Sequence, residues 1–390
     1  MSAGLRVSPV FPPGWADLAP LPLLASPRWF HAMSARFDGQ PCWFSVPDAP
    51  GAAAPACGIA GFVVDRPGGY VYGDAAALCA DPASPLAPPP VRRALTHRPT
   101  DTGALFPHLL LTYPGYATFA IGTQHDNPDA VGRLLADIVE WSRGEGLAMV
   151  ALPYAEADGE LSTQARSLGF VGLGLTVDAS LEVPAGGFEE YLRRFGDRRR
   201  RKLAAERRSL AAQGLCGRRV IEVTPRRLDH LAQLRVQHRA KYGLPASERA
   251  ERDRLEMVLE SLAGSIHVFV VGPDDETRPL SFSLFVRDGA VWHSLYCGTD
   301  YTNPRSRRTY FEAVYYAPVS AGAALGISRI SYGLGSGEAK RLRGCTAADI
   351  ECLLLGLTPA AVTAVHDIEV AWRGRSIHPL LSTTDGGMSP

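Results

Sequence analysis

The stretch that most constrains this sequence is a pair of alternating runs joined by Asp288-Gly289. Pro279 to Arg287 puts Leu280, Phe282, Leu284 and Val286 on one face, and Ala290 to Cys297 alternates again. An Asp-Gly pair between such runs specifies a tight hairpin, because its turn needs residues that tolerate positive φ. Ile266 to Val271, an apolar run, is a third strand, with a turn at Asp274-Asp275. Val220–Val223 reads as a strand before them. Leu228–Lys241 and Arg252–Leu262 carry helical apolar spacing, and Tyr310–Leu325 is a helix ending at Gly326. Ser328–Tyr332 reads as the final strand. The order from 220 to 332 is therefore β-α-α-β-β-β-α-β, a mixed α/β (α+β) sheet fold.

With 390 residues the chain exceeds one ordinary core, which predicts two domains. Pro41–Val46 and Gly58–Val64 read as strands, joined by the low-complexity stretch Pro47–Ala56. The proline-rich residues 81–90 predict an exposed loop. Asn127-Pro128-Asp129 is a helix start, and Val131, Leu134, Leu135, Ile138 and Val139 supply its stripe. Ala148–Leu152 follows as a buried strand. A helix through Leu161, Ala165 and Leu168 stops at Gly169, and Phe170–Val177 returns as strand. The boundary is placed at Val183-Pro184, giving domains 1–183 and 184–390. Phe188–Gln213 reads as one long helix.

Seven scattered cysteines form no C-x-x-C pair. With no export signal at the start, they point to free thiols in a reducing, cytoplasmic compartment and away from a structural metal. No apolar stretch is long enough to span a bilayer. Net charge is zero and lysine is restricted to Lys202, Lys241 and Lys340, so the position of the charge carries the information. Between Arg193 and Arg219 stand eleven basic residues against Asp197 and Glu206. The run Arg198, Arg199, Arg200, Arg201, Lys202 spans more than a turn and repels itself unless an anion lies near. RNA backbone is the candidate anion; a solvated face enriched by arginine bias is the alternative.

Three segments have the look of one family. They are Tyr191-Leu192 with the arginine run and Gly214; Tyr310-Phe311-Glu312 through Tyr315-Tyr316 to Gly326; and Gly333-Leu-Gly335-Ser-Gly337-Glu338-Ala-Lys340-Arg-Leu-Arg343-Gly344. As a set the sequence resembles the Fem-like branch of the GNAT acyltransferase superfamily, whose members carry two GNAT-like halves in tandem. The N-terminal half resembles that family only in tempo. After Gly344 the chain departs from the family pattern.

The resemblance implies transfer of an acyl group to an amine, with chemistry in the C-terminal half. The donor it implies is aminoacyl-tRNA or acyl-CoA, as co-substrate with no other cofactor. The acceptor class is a small-molecule or peptidoglycan-type precursor amine. A non-catalytic RNA- or precursor-binding module is the rival of another class. The loop Asp300–Thr309 contains no glycine, and its Arg305, Arg307 and Arg308 suit phosphates as side-chain ligands, which favours tRNA over a backbone-cradled CoA.

By the same resemblance Lys340 stabilises the leaving group or oxyanion and Arg343 meets a carboxylate or phosphate; an ion pair of either with Glu338 is the alternative. His293 stands mid-strand as either general base or core histidine. Tyr296 and Trp292, with Ser294, share the other face and are expected to line the acceptor cavity. Tyr316, Glu338, Lys241 and Tyr242 complete the expected substrate side. Cys297 has no partner histidine identifiable in the sequence, which makes a structural thiol the expectation.

Overall fold

The computed structural model describes residues 4–18, 20–48, 54–244, 246–273, 278–335 and 337–373. Its strands are β1 (Arg6–Ser8), β2 (Gln40–Pro47), β3 (Pro55–Val64), β4 (His108–Leu111), β5 (Met149–Glu156), β6 (Val171–Glu182), β7 (Cys216–Val220), β8 (Ile266–Gly272), β9 (Ser281–Asp288), β10 (Val291–Thr299), β11 (Arg329–Leu334) and β12 (Thr346–Gly356). The turn expected at Asp274-Asp275 and the middle of the Pro47–Ala56 stretch lie outside the described residues.

Two compact units result. One is the chain up to Asp178 together with the chain from Ala348 onward; the other is Ala179–Ala347. These do not coincide with a division into 1–183 and 184–390. The reason is β12, which lies between β5 and β6 in the first unit and pairs antiparallel with β5. The helix Pro359–Trp372 follows it, and the Trp372 indole donates to the Cys79 carbonyl at 2.8 Å. Ser328–Tyr332 is therefore not the last strand.

In the first unit the order is β1-β2-β3-β4-β5-β12-β6. Asn127 caps the helix Pro128–Gly144 by accepting from the Asp129 and Ala130 amides. The apolar stripe of that helix, Val131, Leu134, Leu135 and Ile138, packs on Leu109, Leu111, Val150, Leu152 and Leu353. Residues 81–90 are less open than expected. Ser84 and Ala87 are buried, and Pro89 and Pro90 occupy the first turn of a helix, Pro89–His97, where a missing N–H costs nothing.

In the second unit the order is β6-β11-β10-β9-β8-β7. The β9–β10 hairpin turns at Gly289, φ 57°, as its Asp-Gly signal requires. The expected strand at 220–223 lies earlier, at β7, where it pairs with β8 from Cys216↔Gly272 to Val220↔Val268. The single long helix is two, Gly187–Arg193 and Asp197–Ala211, interrupted at Arg194–Gly196.

The helix from Thr309 departs from regularity at Glu312–Tyr316, a π-turn before Pro318. Pro318 has no N–H for the Val314 carbonyl, which accepts instead from the Tyr332 hydroxyl at 3.1 Å; Ser283 similarly serves the Ala313 carbonyl at 2.6 Å. The π-turn is thus held by side chains from neighbouring strands.

Candidate active site

The second unit contains an opening in its sheet. The parallel pairing of β10 with β11 covers Val291–His293 against Arg329–Ser331, while β10 runs on to Thr299 paired with β9. A bulge between Ser294 and Tyr296 accompanies the separation and reverses the side-chain alternation. Trp292 is fully buried against Phe269 and Phe285, and after the bulge Cys297, not Tyr296, packs on that same core cluster. Tyr296 lies buried beneath the Arg235 guanidinium, 4.5 Å from its ring centre, on the side of the helix Pro225–Lys241. Trp292 and Tyr296 therefore do not share a cavity face, contrary to strict alternation. Trp292 is a core residue.

His293 stands at the last paired position before the strands part. Burial holds its imidazole below the ordinary value, with Asp288 pulling the other way and Arg329 adding to the depression. It is half-buried.

The glycine-rich closing segment is built around Lys340. Gly333 and Gly335 adopt positive φ, 67° and 74°, and let the chain curl. The carbonyls of Tyr332, Gly333 and Leu334 then converge on the Lys340 ammonium at 2.9, 2.6 and 2.9 Å. Lys340 is 6% exposed. Three acceptors for three N–H donors make it the post on which the segment is hung, not a group reaching for a leaving oxygen. Glu338, by contrast, is exposed.

Arg343 is 5% exposed, over the Phe311 ring at 3.8 Å and against Glu206 at 3.4 Å. Glu206 also accepts from the Tyr316 hydroxyl at 2.5 Å, and Tyr191 donates to the Arg343 carbonyl at 2.8 Å. Arg343 and Tyr316 thus form a buried ionic knot with Glu206, a residue of the arginine-rich helix. A charge so buried is tolerated only when paired. Neither side chain is presented for a substrate.

The arginine run divides by face. Arg199 donates to the Leu342 carbonyl, with Nε at 3.1 Å, and Arg200 pairs with Asp197. Arg207 pairs with the buried Glu312 at 3.2 Å. Arg198, Arg201, Lys202 and Arg208 are exposed; Arg201 and Arg208 lie opposite the buried Leu203, Glu206 and Leu210, while Arg198 and Lys202, at i,i+4 spacing, lie on the flank that leads to Glu206.

The loop before the helix at Thr309 is folded on itself. Asp300 accepts from the Thr302 and Asn303 amides, and Asn303 accepts from the Arg305 amide through its side chain and from Ser306 through its carbonyl. Arg308 sits at φ 77° where a glycine would be at ease. Arg305, Arg307 and Arg308 are exposed, Arg305 also donating to the Gln213 carbonyl at 2.8 Å.

At the open end of β10 lies a group that the sequence concealed. His238, on the helix Pro225–Lys241, contacts the Cys297 sulfur through Nε2 at 3.6 Å and the Tyr301 hydroxyl through Nδ1 at 3.0 Å. Its ring stacks on Tyr310, interplanar angle 10°, and meets Tyr242 edge-on. Lys241 stands 4.3 Å from the Tyr301 ring centre. Burial, then Arg235 and Lys241, lower the His238 pKa to about 4. Burial raises the Cys297 thiol, against Arg235, Lys340 and a Tyr310 hydrogen bond. The one available signal was that Lys241 and Tyr242 follow His238 at helical i+3 and i+4 spacing, on one face.

The first unit has its own early-parting parallel pair, β4 with β5 over His108–Leu110 and Met149–Ala151. Its continuation carries Tyr113, Tyr116 and Tyr154, the last two at positive φ and packed together at 5.4 Å. No group of three or more metal-ligating side chains occurs among the described residues.

A family profile, FemAB-like, described as peptidoglycan biosynthesis/recognition, matches residues 117–367. The chain belongs to this FemAB-like family, and its fold is that of FemX. Among solved structures it is similar to FemX, with TM-score 0.57 and 12% identity over 88% of this chain and 93% of that one. It is also similar to L-PGS from Bacillus licheniformis, TM-score 0.46, 12% identity, over 68% and 83% of the two chains. A tandem GNAT protein from the clavulanic acid biosynthesis pathway aligns over 91% and 99%, with TM-score 0.45 and 9% identity. No curated protein matches the sequence. No helix among the described residues is long and apolar enough to cross a membrane.

Proposed function

We propose that this protein is an aminoacyltransferase that moves an amino acid from the 3′ ester of aminoacyl-tRNA onto an amine of a precursor molecule, at the opening between β10 and β11. The observation that carries this reading is that opening, where a parallel pair parts beyond His293 and Ser331. Strand edges that part there offer backbone N–H groups to a tetrahedral oxyanion, and hold donor carbonyl and amine in line without a metal ligand set. Family membership supports acyl transfer toward a peptidoglycan-type precursor amine, and a small natural-product amine remains within the same chemistry.

Two features favour tRNA over acyl-CoA as donor. The amides of Thr302, Asn303, Arg305 and Ser306 already donate within their own loop, so they are not a ready cradle for a pyrophosphate. The exposed Arg198, Arg201, Lys202 and Arg208 match a phosphate backbone, with Arg305, Arg307 and Arg308 as further phosphate ligands.

The test is filter binding of unfractionated tRNA at increasing salt, beside calorimetry with CoA and single-turnover transfer from charged tRNA. Binding should weaken steeply with salt, and replacing Arg198, Arg201 and Lys202 by Gln should flatten the salt slope by up to about 3. Micromolar CoA affinity with salt-insensitive tRNA binding would reverse the choice of donor.

A further inference from the structure

Acyl transfer by direct attack of an amine leaves one feature unused. At the open end of β10 the thiol of Cys297, the imidazole of His238 and the hydroxyl of Tyr301 stand in line, at 3.6 and 3.0 Å. That is the order of nucleophile, base and orienting group that activates a cysteine. Three elements build it. Gly298 lets the helix Pro225–Lys241 lie directly on β10, since a Cβ there would stand 2.7 Å from the Leu234 carbonyl carbon and 2.8 Å from the Arg235 nitrogen. Arg235 fastens the same contact by donating to the Cys297 carbonyl at 3.3 Å. Tyr301 comes from the loop after β10, and Tyr310, from the helix that follows, lies flat against the imidazole. Cys297 is half-buried, with the exposed Lys241 and Tyr242 beside the cluster.

We propose that Cys297 is a nucleophile that takes the acyl group as a thioester before it passes to the amine, with His238 as general base and Tyr301 holding the imidazole. The inference rests on the acyl-transfer reading above. With Nδ1–H donating to the Tyr301 hydroxyl oxygen, Nε2 presents its lone pair to the Cys297 S–H. Sulfur attacks the donor carbonyl carbon as its proton moves to Nε2. The tetrahedral adduct collapses with rupture of the ester C–O bond, and the proton on Nε2 goes to the departing 3′ oxygen, leaving a ribose hydroxyl. The acceptor amine then attacks the thioester carbon. Its C–N bond forms as C–S breaks, and the amine proton returns through His238 to the sulfur. The imidazole is neutral at pH 7 and its lone pair is free, but a pKa of about 4 makes it a weak base for a thiol that burial holds above its ordinary value, so the proton must move in concert with sulfur attack and not before it.

Two probes test it. The first is p-nitrophenyl acetate, which needs no knowledge of the natural donor. The wild-type protein should give a burst of nitrophenolate and an acetyl group on the Cys297 peptide, about tenfold or more faster than on the exposed Cys216. His238→Gln should slow that acylation by on the order of a hundredfold, and Tyr301→Phe by less. The second probe is tRNA charged with labelled amino acids, quenched in acid: label on Cys297 that hydroxylamine releases is the thioester. Faster acetylation of Cys216 than of Cys297 in the wild-type protein overturns the proposal, and needs no variant to fold. Transfer from charged tRNA that is undiminished in Cys297→Ala overturns it too, and leaves the aminoacyltransferase reading standing. Acetylation of Cys297 without label from charged tRNA keeps the nucleophile and removes tRNA as the donor.

Discussion

Lys340 shows how a residue chosen for chemistry can turn out to hold geometry. The family resemblance implies an electrostatic catalyst at this position, yet the ammonium bonds three carbonyls in a buried turn. Lys340→Met leaves those carbonyls without their donor. We expect a loss of about 3 kcal/mol, which lowers the melting midpoint of the second unit by roughly 10 °C. Calorimetry checks this; a variant with unchanged melting and slowed transfer would restore the catalytic role. His108 makes a second point at this scale. It is fully buried, and burial, against the pull of Asp74 and the Leu105 backbone, lowers its pKa from 6.5 to about 4. Between those values the unfolded chain binds a proton that the folded one does not, so stability is complete above pH 6.5 and falls as pH drops toward 4. The slope for one such group is about 1.4 kcal/mol per pH unit. His108→Leu should remove one proton's share of that slope, and urea unfolding of the first unit from pH 7 to pH 4 measures it.

Among elements, the helix Pro225–Lys241 decides most, because it carries His238 to Cys297, fifty-nine residues further along the chain. Its approach depends on Gly298, where a methyl group would meet Phe282 and the helix backbone. Gly298→Ala should cost about 1–3 kcal/mol and push the helix outward. We expect it to slow acylation of Cys297 although it alters neither Cys297 nor His238. Acylation at the wild-type rate in a destabilised variant would show that the cluster tolerates the shift. The arginine-rich helix Asp197–Ala211 works on both of its sides. Glu206, Arg199 and Arg207 tie it to the closing segment and to Glu312, while the opposite face stays in water. Charge composition alone could not separate these two populations of arginine, since only the docked face reveals which carbonyls and carboxylates they meet.

At the scale of the whole molecule, the chain returns to its first unit after completing the second. β12 fills the place between β5 and β6, and buried Leu353 joins the core formed by Leu134, Val150 and Leu152. A chain truncated after Ala347 should therefore lose cooperative unfolding of the first unit while the second retains its own core. Hydrogen exchange checks this: protection at β5 should collapse, and protection at β8 to β10 should persist. Equal protection at β5 in the full and shortened chains would show that β12 is a dispensable cover.

Read alone, the sequence determined the strands and helices whose patterns are periodic: the β9–β10 hairpin, the helix capped by Asn127, and the β-α-α-β-β-β-α-β order. Local chemistry decides such elements, because an Asp-Gly turn or an Asn-Pro cap acts within a few residues. Tertiary structure alone decided the rest. The bulge at Ser294–Tyr296 reversed which face of β10 meets the core, so Trp292 and Tyr296 parted company. The return of β12 moved the unit boundary. His238 met Cys297 only because a helix crossed a strand at a glycine, and alternation or charge along the chain carries no record of such crossings.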